Sequence, residues 1–262
     1  MQRHALNTDF EWRASSGALR RLSSDQARQY DEEGYFVLEG AFSADELAAV
    51  RDVIDPMERE GEDILRQRDG GKTFIAKADA ITFTIHLVKR SQVLKDFSRH
   101  AVFRDIAHDT LGPGARLYWD QAVYKKPGNP EEFPWHQDNG YTFTAPQQYL
   151  TCWVPLNDAT LDNGCPWVVP GIHRLGTLRH DLTPLGLECL KDPEDAVSVP
   201  ARAGDVVVFS SLTPHRTGPN LTGKTRKAYI LQYASDGAVV HFEDGTVTPA
   251  NDPKRQFLVD PE

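Results

Sequence analysis

Between residues 116 and 233 the chain breaks into short runs rich in β-branched and aromatic residues, 116–125, 149–156, 166–169, 205–209 and 226–233. Gly, Pro, Asn and Asp punctuate the stretches between them. β-Branched and aromatic side chains suit a pleated surface, while the punctuating residues supply turns, so each run reads as one strand. Many short strands joined by long decorated loops indicate a β-sandwich or jelly roll. The chain is therefore expected to be mainly β, with a jelly-roll core beginning at about residue 116.

Helical patterns precede the strands. Ser23 with Gln26, and Ser43 with Glu46, each form a capping box, in which the Ser side chain and the residue three positions on satisfy backbone N–H groups reciprocally. The first box opens a short helix ending near Gly34, followed by a strand over 35–38. The second opens a helix running into the mid-60s, with Leu47, Val50, Val53, Ile54 and Met57 on one face. Residues 70–73 read as a turn, and shorter helices are expected near 92–99 and 102–111. Residues 1–20 show no period and read as a poorly ordered arm, leaving 21–262 as one domain, a size a single core can hold.

Composition narrows the partners. Thirty-eight acidic against 29 basic side chains give a net charge of −9, with no basic run to overrule that field, so nucleic acid is not an expected partner. No apolar stretch reaches bilayer-spanning length, and the first residues lack a signal peptide's apolar core, so no membrane association and a cytoplasmic location are expected. Cys152, Cys165 and Cys189 are odd in number and lack a CxxC spacing, which fits reduced, buried thiols.

The strongest chemical signal is Trp135-His136-Gln137-Asp138-Asn139-Gly140. In extended backbone, residues two apart point the same way, so His136 and Asp138 can offer a nitrogen and an oxygen to one ion. The tripeptide alone fits a turn with a hydrogen-bonded Asp equally well. Far downstream, an apolar run is followed by Thr213-Pro214-His215-Arg216-Thr217. A histidine there can complete a two-His, one-carboxylate set, which leaves a coordination face open and is associated with non-haem iron(II) oxygenases. Alone, His215 reads as a loop histidine.

Arg226 opens the last strand and shares a face with Ala228, Ile230 and Gln232. If Ala228 and Ile230 face the interior, so does Arg226. A buried guanidinium needs a partner, either an internal carboxylate in an ion pair or the planar carboxylate of a ligand.

On these pieces the chain resembles the phytanoyl-CoA dioxygenase family of iron(II)/2-oxoglutarate oxygenases. The matching text is QAVYKKPG, WHQDNGY, TCWVPLNDATLDNGCPWVVPGIHR, AGDVVVFSSLTPHRTGPN and TRKAYILQY, preceded by DEEGYFVLEGAFSADEL. The resemblance implies a double-stranded β-helix, the cupin-like form of the jelly roll, with flanking N-terminal helices. It implies iron(II) on His136, Asp138 and His215, with 2-oxoglutarate held by Arg226 and O2 as second co-substrate. It points to Trp153, Thr217 and Gln121 as neighbours of 2-oxoglutarate. Trp153 shares a strand face with Thr151, and either lines a cavity or packs outside it. The implied activity is hydroxylation of a substrate C–H bond with release of succinate and CO2. Asp138 stands where related halogenases carry a small non-ligating residue.

One departure concerns the family's usual PGSH text, which here is Pro170-Gly171-Ile172-His173, so His173 reads as structural or substrate-facing. Phe133, Trp135, Tyr141, Phe143 and Trp167 surround the metal motif and read as an aromatic pocket mouth or as packing. A CoA ester would need several cations, and only Lys125, Lys126 and Arg174 stand near the motifs, so a small metabolite is the expected substrate. The rival reading is a non-catalytic jelly-roll binding module with incidental His and Asp residues.

Overall fold

The structure is a computed structural model that describes residues 1–14 and 17–259. Both capping boxes form: Ser23 caps the helix Ser24–Glu33 and Ser43 caps Ala44–Arg66, each with reciprocal hydrogen bonds to its third residue. The first helix stops at Gly34, whose φ of 84° is left-handed. Gly34 also has no room for a side chain, because a Cβ would lie 2.5 Å from the His173 ring and the Thr213 hydroxyl. The shorter helices span Gln92–Phe97 and Ala101–Leu111.

The main sheet has eight antiparallel strands, in the order Tyr35–Leu38, Val206–Ser210, Leu150–Pro155, Arg226–Ser235, Ala115–Lys125, Ile81–Ile85, Ala76–Lys77 and Lys72–Thr73. A smaller sheet pairs Pro166–Val168 with both Val197–Ser198 and His215–Thr217. The fold is thus mainly β, a jelly roll with helices outside.

Strand alternation divides the core in two. Leu150, Cys152 and Val154, with Tyr229, Leu231 and Tyr233, pack against Leu47, Val50 and Ile54 of the long helix and Phe103 and Ile106 of the last one. Trp153, Val207, Phe209, Ala228 and Ile230 face the opposite way, toward Cys165 and Val168. Central strands buried on both faces explain why these segments read as continuous apolar runs. The inner face becomes a cavity wall where polar residues replace apolar ones. Among the described residues, no helix is long and apolar enough to cross a membrane.

Two expectations change. Ser15 and Ser16 of the arm lie outside the described residues, but the rest of the arm is held by specific contacts rather than loose. Arg3 bridges Leu178, buried Asn7 donates to the carbonyls of Leu175 and Thr177 at 2.9 Å, and Trp12 meets the His173 ring edge-on at 4.4 Å. These partners lie more than 150 residues away, so no local period signals them. In addition, the hairpin Lys72–Lys77 begins inside the segment read as a turn and continues, with the strand Ile81–Ile85, through residues 74–85, which were passed over. Ile-Thr-Phe-Thr-Ile carried the period-two signal of that strand.

Candidate metal and co-substrate site

Gln137 keeps extended backbone (φ −107°, ψ 141°), so His136 and Asp138 project to one side while Gln137 and Asn139 project to the other. Asp138 then opens the helical turn Asp138–Tyr141, so the extended segment ends one residue earlier than the sequence suggested. The outward pair fixes the segment. The Gln137 amide donates to the carbonyls of Leu212 (2.6 Å) and Gly176 (3.1 Å), and its oxygen accepts from the Leu178 N–H at 2.6 Å. Asn139 donates to the Thr177 hydroxyl at 2.7 Å and accepts from the Thr144 N–H at 2.8 Å. Gly140 is required by a close approach, since a Cβ there would lie 2.0 Å from the His180 ring.

A single antiparallel bridge carries His215 to this segment. The His136 N–H donates to the His215 carbonyl at 2.9 Å and the His215 N–H donates to the His136 carbonyl at 2.8 Å. Such a reciprocal pair sets both side chains on the same face. The imidazole centroids are 4.1 Å apart, and one oxygen of Asp138 lies 3.9 Å from Nε2 of His136 and 3.7 Å from Nε2 of His215. One ligand atom from each of the three residues falls within 4.8 Å of the others.

The donors are prepared for a cation. Nδ1 of His136 lies 2.8 Å from the Pro134 carbonyl and Nδ1 of His215 lies 3.0 Å from the Thr213 carbonyl, so each ring carries its proton there and presents the Nε2 lone pair. Burial pushes both rings below the usual histidine range, His136 to about 3 and His215 to about 4, which keeps them neutral. Burial raises the Asp138 carboxyl, against the pull of His136 and a 2.6 Å hydrogen bond donated by the Thr151 hydroxyl. A divalent cation between the three would remove that burial cost.

Arg226 shares the cavity with this triad and is fully buried. Nη1 donates to the Val123 carbonyl at 3.3 Å, whereas Nε and Nη2 have no hydrogen-bond partner. The guanidinium lies 5.3 Å over the Trp153 ring, and burial pulls its pKa down to about 10. An internal ion pair, the bland reading of this arginine, does not occur among the described residues. Two orphaned, buried N–H groups on a cation are costly, and a planar carboxylate is the group that satisfies them. Trp153, Thr217 and Gln121 also line the cavity, and Thr217 sits on a strand rather than in a turn.

Behind Arg226, Lys125 is buried too, with Nζ donating to the Gly218 carbonyl at 2.6 Å. Burial first, then the Arg226 charge, pushes its pKa down to about 7. An unfolded lysine titrates near ~10.4. Between these values the unfolded chain binds more protons than the native one, so this lysine makes stability rise with pH across that window. Relative to Lys125→Met, the wild-type unfolding free energy is expected to climb by a few kcal/mol, on the order of the shift, from pH ~7 to ~10. Urea unfolding at stepped pH checks this, and parallel curves for the two proteins would contradict it.

The remaining basic residues near the motifs are committed elsewhere. Lys126 pairs with Glu58 and Glu62 at 2.7 Å, and Arg174 donates to the Asp31 carbonyl. His173 is buried against Trp12, with Nε2 3.2 Å from the Asp31 carbonyl, and does not line the cavity. Of the aromatic cluster, Phe133 and Tyr141 line the cavity, while Trp135 packs under Arg216 and Phe143 against His4 and His241. Cys152 and Cys165 are buried in the core, whereas Cys189 is only half-buried. The sequence reading put Thr151 and Gln232 on the faces of Trp153 and Arg226 without giving them a role, and it missed Tyr118 and Tyr149 in the cavity wall, together with its outer rim at Phe74, Ile75, Phe83 and Ile85.

A jelly roll whose cavity holds two neutral histidines, a carboxylate and an unpaired arginine defines a non-haem metal oxygenase of the 2-oxo acid-dependent kind. The sequence model of the phytanoyl-CoA dioxygenase family (PhyH) matches residues 30–228. The chain belongs to that family and is an iron(II)/2-oxoglutarate-dependent dioxygenase. It is 24% identical to a phytanoyl-CoA dioxygenase of Arabidopsis thaliana, over 93% of this chain and 99% of the relative. It is 27% identical to phytanoyl-CoA dioxygenase domain-containing protein 1 of Bos taurus, over 87% and 95%. Among solved structures, the epimerase SnoN in complex with Fe3+, alpha ketoglutarate and nogalamycin RO superposes with a TM-score of 0.68 at 21% identity, covering 90% of this chain and 98% of that one. At that identity the similarity speaks for the fold.

Proposed function

We propose that the chain hydroxylates a C–H bond of a small metabolite, converting one 2-oxoglutarate and one O2 per turnover to succinate and CO2, with the second oxygen atom entering the product as hydroxyl. The observation that carries this reading is the buried Arg226 guanidinium with Nε and Nη2 unpartnered, in one cavity with His136, Asp138 and His215. The three ligands would hold iron(II), which supplies O2 activation coupled to decarboxylation of the 2-oxo acid. Arg226 would take the far carboxylate of 2-oxoglutarate, with Trp153 beneath the guanidinium and Thr217 and Gln121 as flanking polar groups. Thr151, itself approached by the Gln232 amide at 3.4 Å, holds one oxygen of Asp138 and leaves the other for the metal.

The protein's part is to keep one coordination face open, orient both co-substrate and substrate, and exclude bulk water. The expected result is iron- and 2-oxoglutarate-dependent succinate release that rises when a true substrate is added, with product heavier by one oxygen atom. Product lighter by two hydrogens would replace hydroxylation by desaturation. No succinate from iron-loaded protein across a broad panel of neutral and charged metabolites would overturn the reading.

A further inference from the structure

We propose that the substrate is an electrically neutral, largely apolar molecule with a ring or compact hydrocarbon frame, and that Phe74 at the cavity rim is a specificity-determining residue. The proposal rests on the preceding reading for which residues are committed to metal and co-substrate.

The cavity has a volume of about 500 Å³, within the range that encloses a small organic ligand. Among its described lining residues the charged side chains are Asp138 and Arg226. Both are committed, as are His136 and His215. A phosphate, sulfonate or carboxylate on the substrate, or a fixed cation, would be stripped of water there with no counter-charge to meet it. The nearby lysines do not supply one. Lys125 lies outside the lining and donates to the Gly218 carbonyl at 2.6 Å, Lys126 is held by two glutamates, Lys72 donates to the Pro184 carbonyl at 2.8 Å, and Lys77 faces Glu131 at 3.7 Å.

Aromatic rings form a continuous wall from the metal triad to solvent. Tyr141 meets the His136 ring edge-on at 5.3 Å, and Phe74 meets Tyr141 at 6.3 Å. On the other side Phe133 lies 4.9 Å from His136, with Phe83 behind it at 5.8 Å. The wall ends in large apolar side chains turned to water, Phe74 at 56% exposure and Ile85 at 47%. Exposed apolar surface contiguous with a cavity marks a binding mouth.

Phe74 is also held against its own backbone preference. It sits at the tip of the hairpin Lys72–Lys77 with φ +47°, a left-handed conformation that an aromatic residue rarely adopts and a glycine takes freely. Strain of this kind concentrates at ligand contacts. Tyr141 is anchored from behind, its hydroxyl accepting from the Leu187 N–H at 3.2 Å, so Phe74 meets a ring tethered at its far end.

The test uses two fluorescent probes with the same skeleton, neutral N-phenylnaphthylamine and the anionic anilinonaphthalene sulfonate. Both are titrated into protein carrying redox-inert zinc(II) and 2-oxoglutarate, which occupies Arg226, and into metal-free protein. The neutral probe is expected to saturate at one per chain in both states. The sulfonate should bind at least ~10-fold more weakly once 2-oxoglutarate is present. Phe74→Gly, which removes the ring and relaxes the backbone, should weaken the neutral probe roughly fivefold to thirtyfold, and Phe74→Leu should stay within about threefold of wild type. Equal or tighter sulfonate binding in the loaded protein, or an unchanged neutral-probe affinity in Phe74→Gly, would overturn the proposal. Probe binding needs no turnover. A chain that binds the neutral probe through Phe74 yet releases no succinate overturns the catalytic reading alone, and succinate release coupled to an anionic substrate overturns this one alone.

Discussion

Arg226→Gln is expected to raise the 2-oxoglutarate concentration giving half-maximal succinate release by roughly 30-fold to several thousand-fold, with iron content unchanged. The range follows from losing a charge-assisted, two-pronged contact in a buried site, roughly 2–5 kcal/mol, at ~1.4 kcal/mol per decade. Arg226→Lys keeps the charge but not the planar fork, so it should recover only part of the loss. Stability supplies an independent readout. No described protein group meets Nε and Nη2, so the buried guanidinium is a burden on the fold that a bound carboxylate would relieve. Arg226→Met should therefore leave the ligand-free protein as stable as wild type or more so, and should lose the stabilisation by 2-oxoglutarate that wild type shows. A loss of ~3–5 kcal/mol in the ligand-free variant would instead mark a structural ion pair, and an unchanged 2-oxoglutarate dependence would require another anchor.

His136→Ala and His215→Ala are expected to abolish turnover and to weaken iron binding by on the order of 100-fold or more, since even partners that only orient a ligand are worth roughly 10–100-fold. Thr151→Val takes away the 2.6 Å hydrogen bond to Asp138, together with the long 3.4 Å contact from the Gln232 amide, and should fall inside that lower range. Far-ultraviolet circular dichroism of the histidine variants should match wild type, because the rings line a cavity and the bridge that pairs them is made by backbone atoms. Iron content measured with the dichroism separates a lost ligand from a lost fold. A variant that keeps one iron per chain and full turnover removes that residue from the triad.

The parts of this arrangement legible in the sequence are those set by local periodicity. The capping boxes at Ser23 and Ser43 and the shared face of Arg226, Ala228, Ile230 and Gln232 follow from spacing alone. The convergence of His136 with His215 does not, because a two-hydrogen-bond bridge between segments 79 residues apart makes it. Nothing local in the sequence says that Arg226 lacks an internal partner, since that depends on every side chain the fold brings near it. The docking of Asn7 and Trp12 is equally non-local. The strand Ile81–Ile85 is a different case: its alternation was plain, and the short, polar-flanked segment around it masked the signal. That omission hid the outer wall of the cavity.

The central claim is that one cavity joins a metal triad to a carboxylate-binding arginine, and anaerobic calorimetry tests it most directly. Metal-free protein is titrated with iron(II), then with 2-oxoglutarate, in wild type, His136→Ala and Arg226→Gln. The account predicts one iron per chain followed by one 2-oxoglutarate in wild type, loss of tight iron binding in the histidine variant, and normal iron with weakened 2-oxoglutarate in the arginine variant. Binding of 2-oxoglutarate at wild-type affinity in Arg226→Gln, or stoichiometric tight iron in His136→Ala, would contradict it.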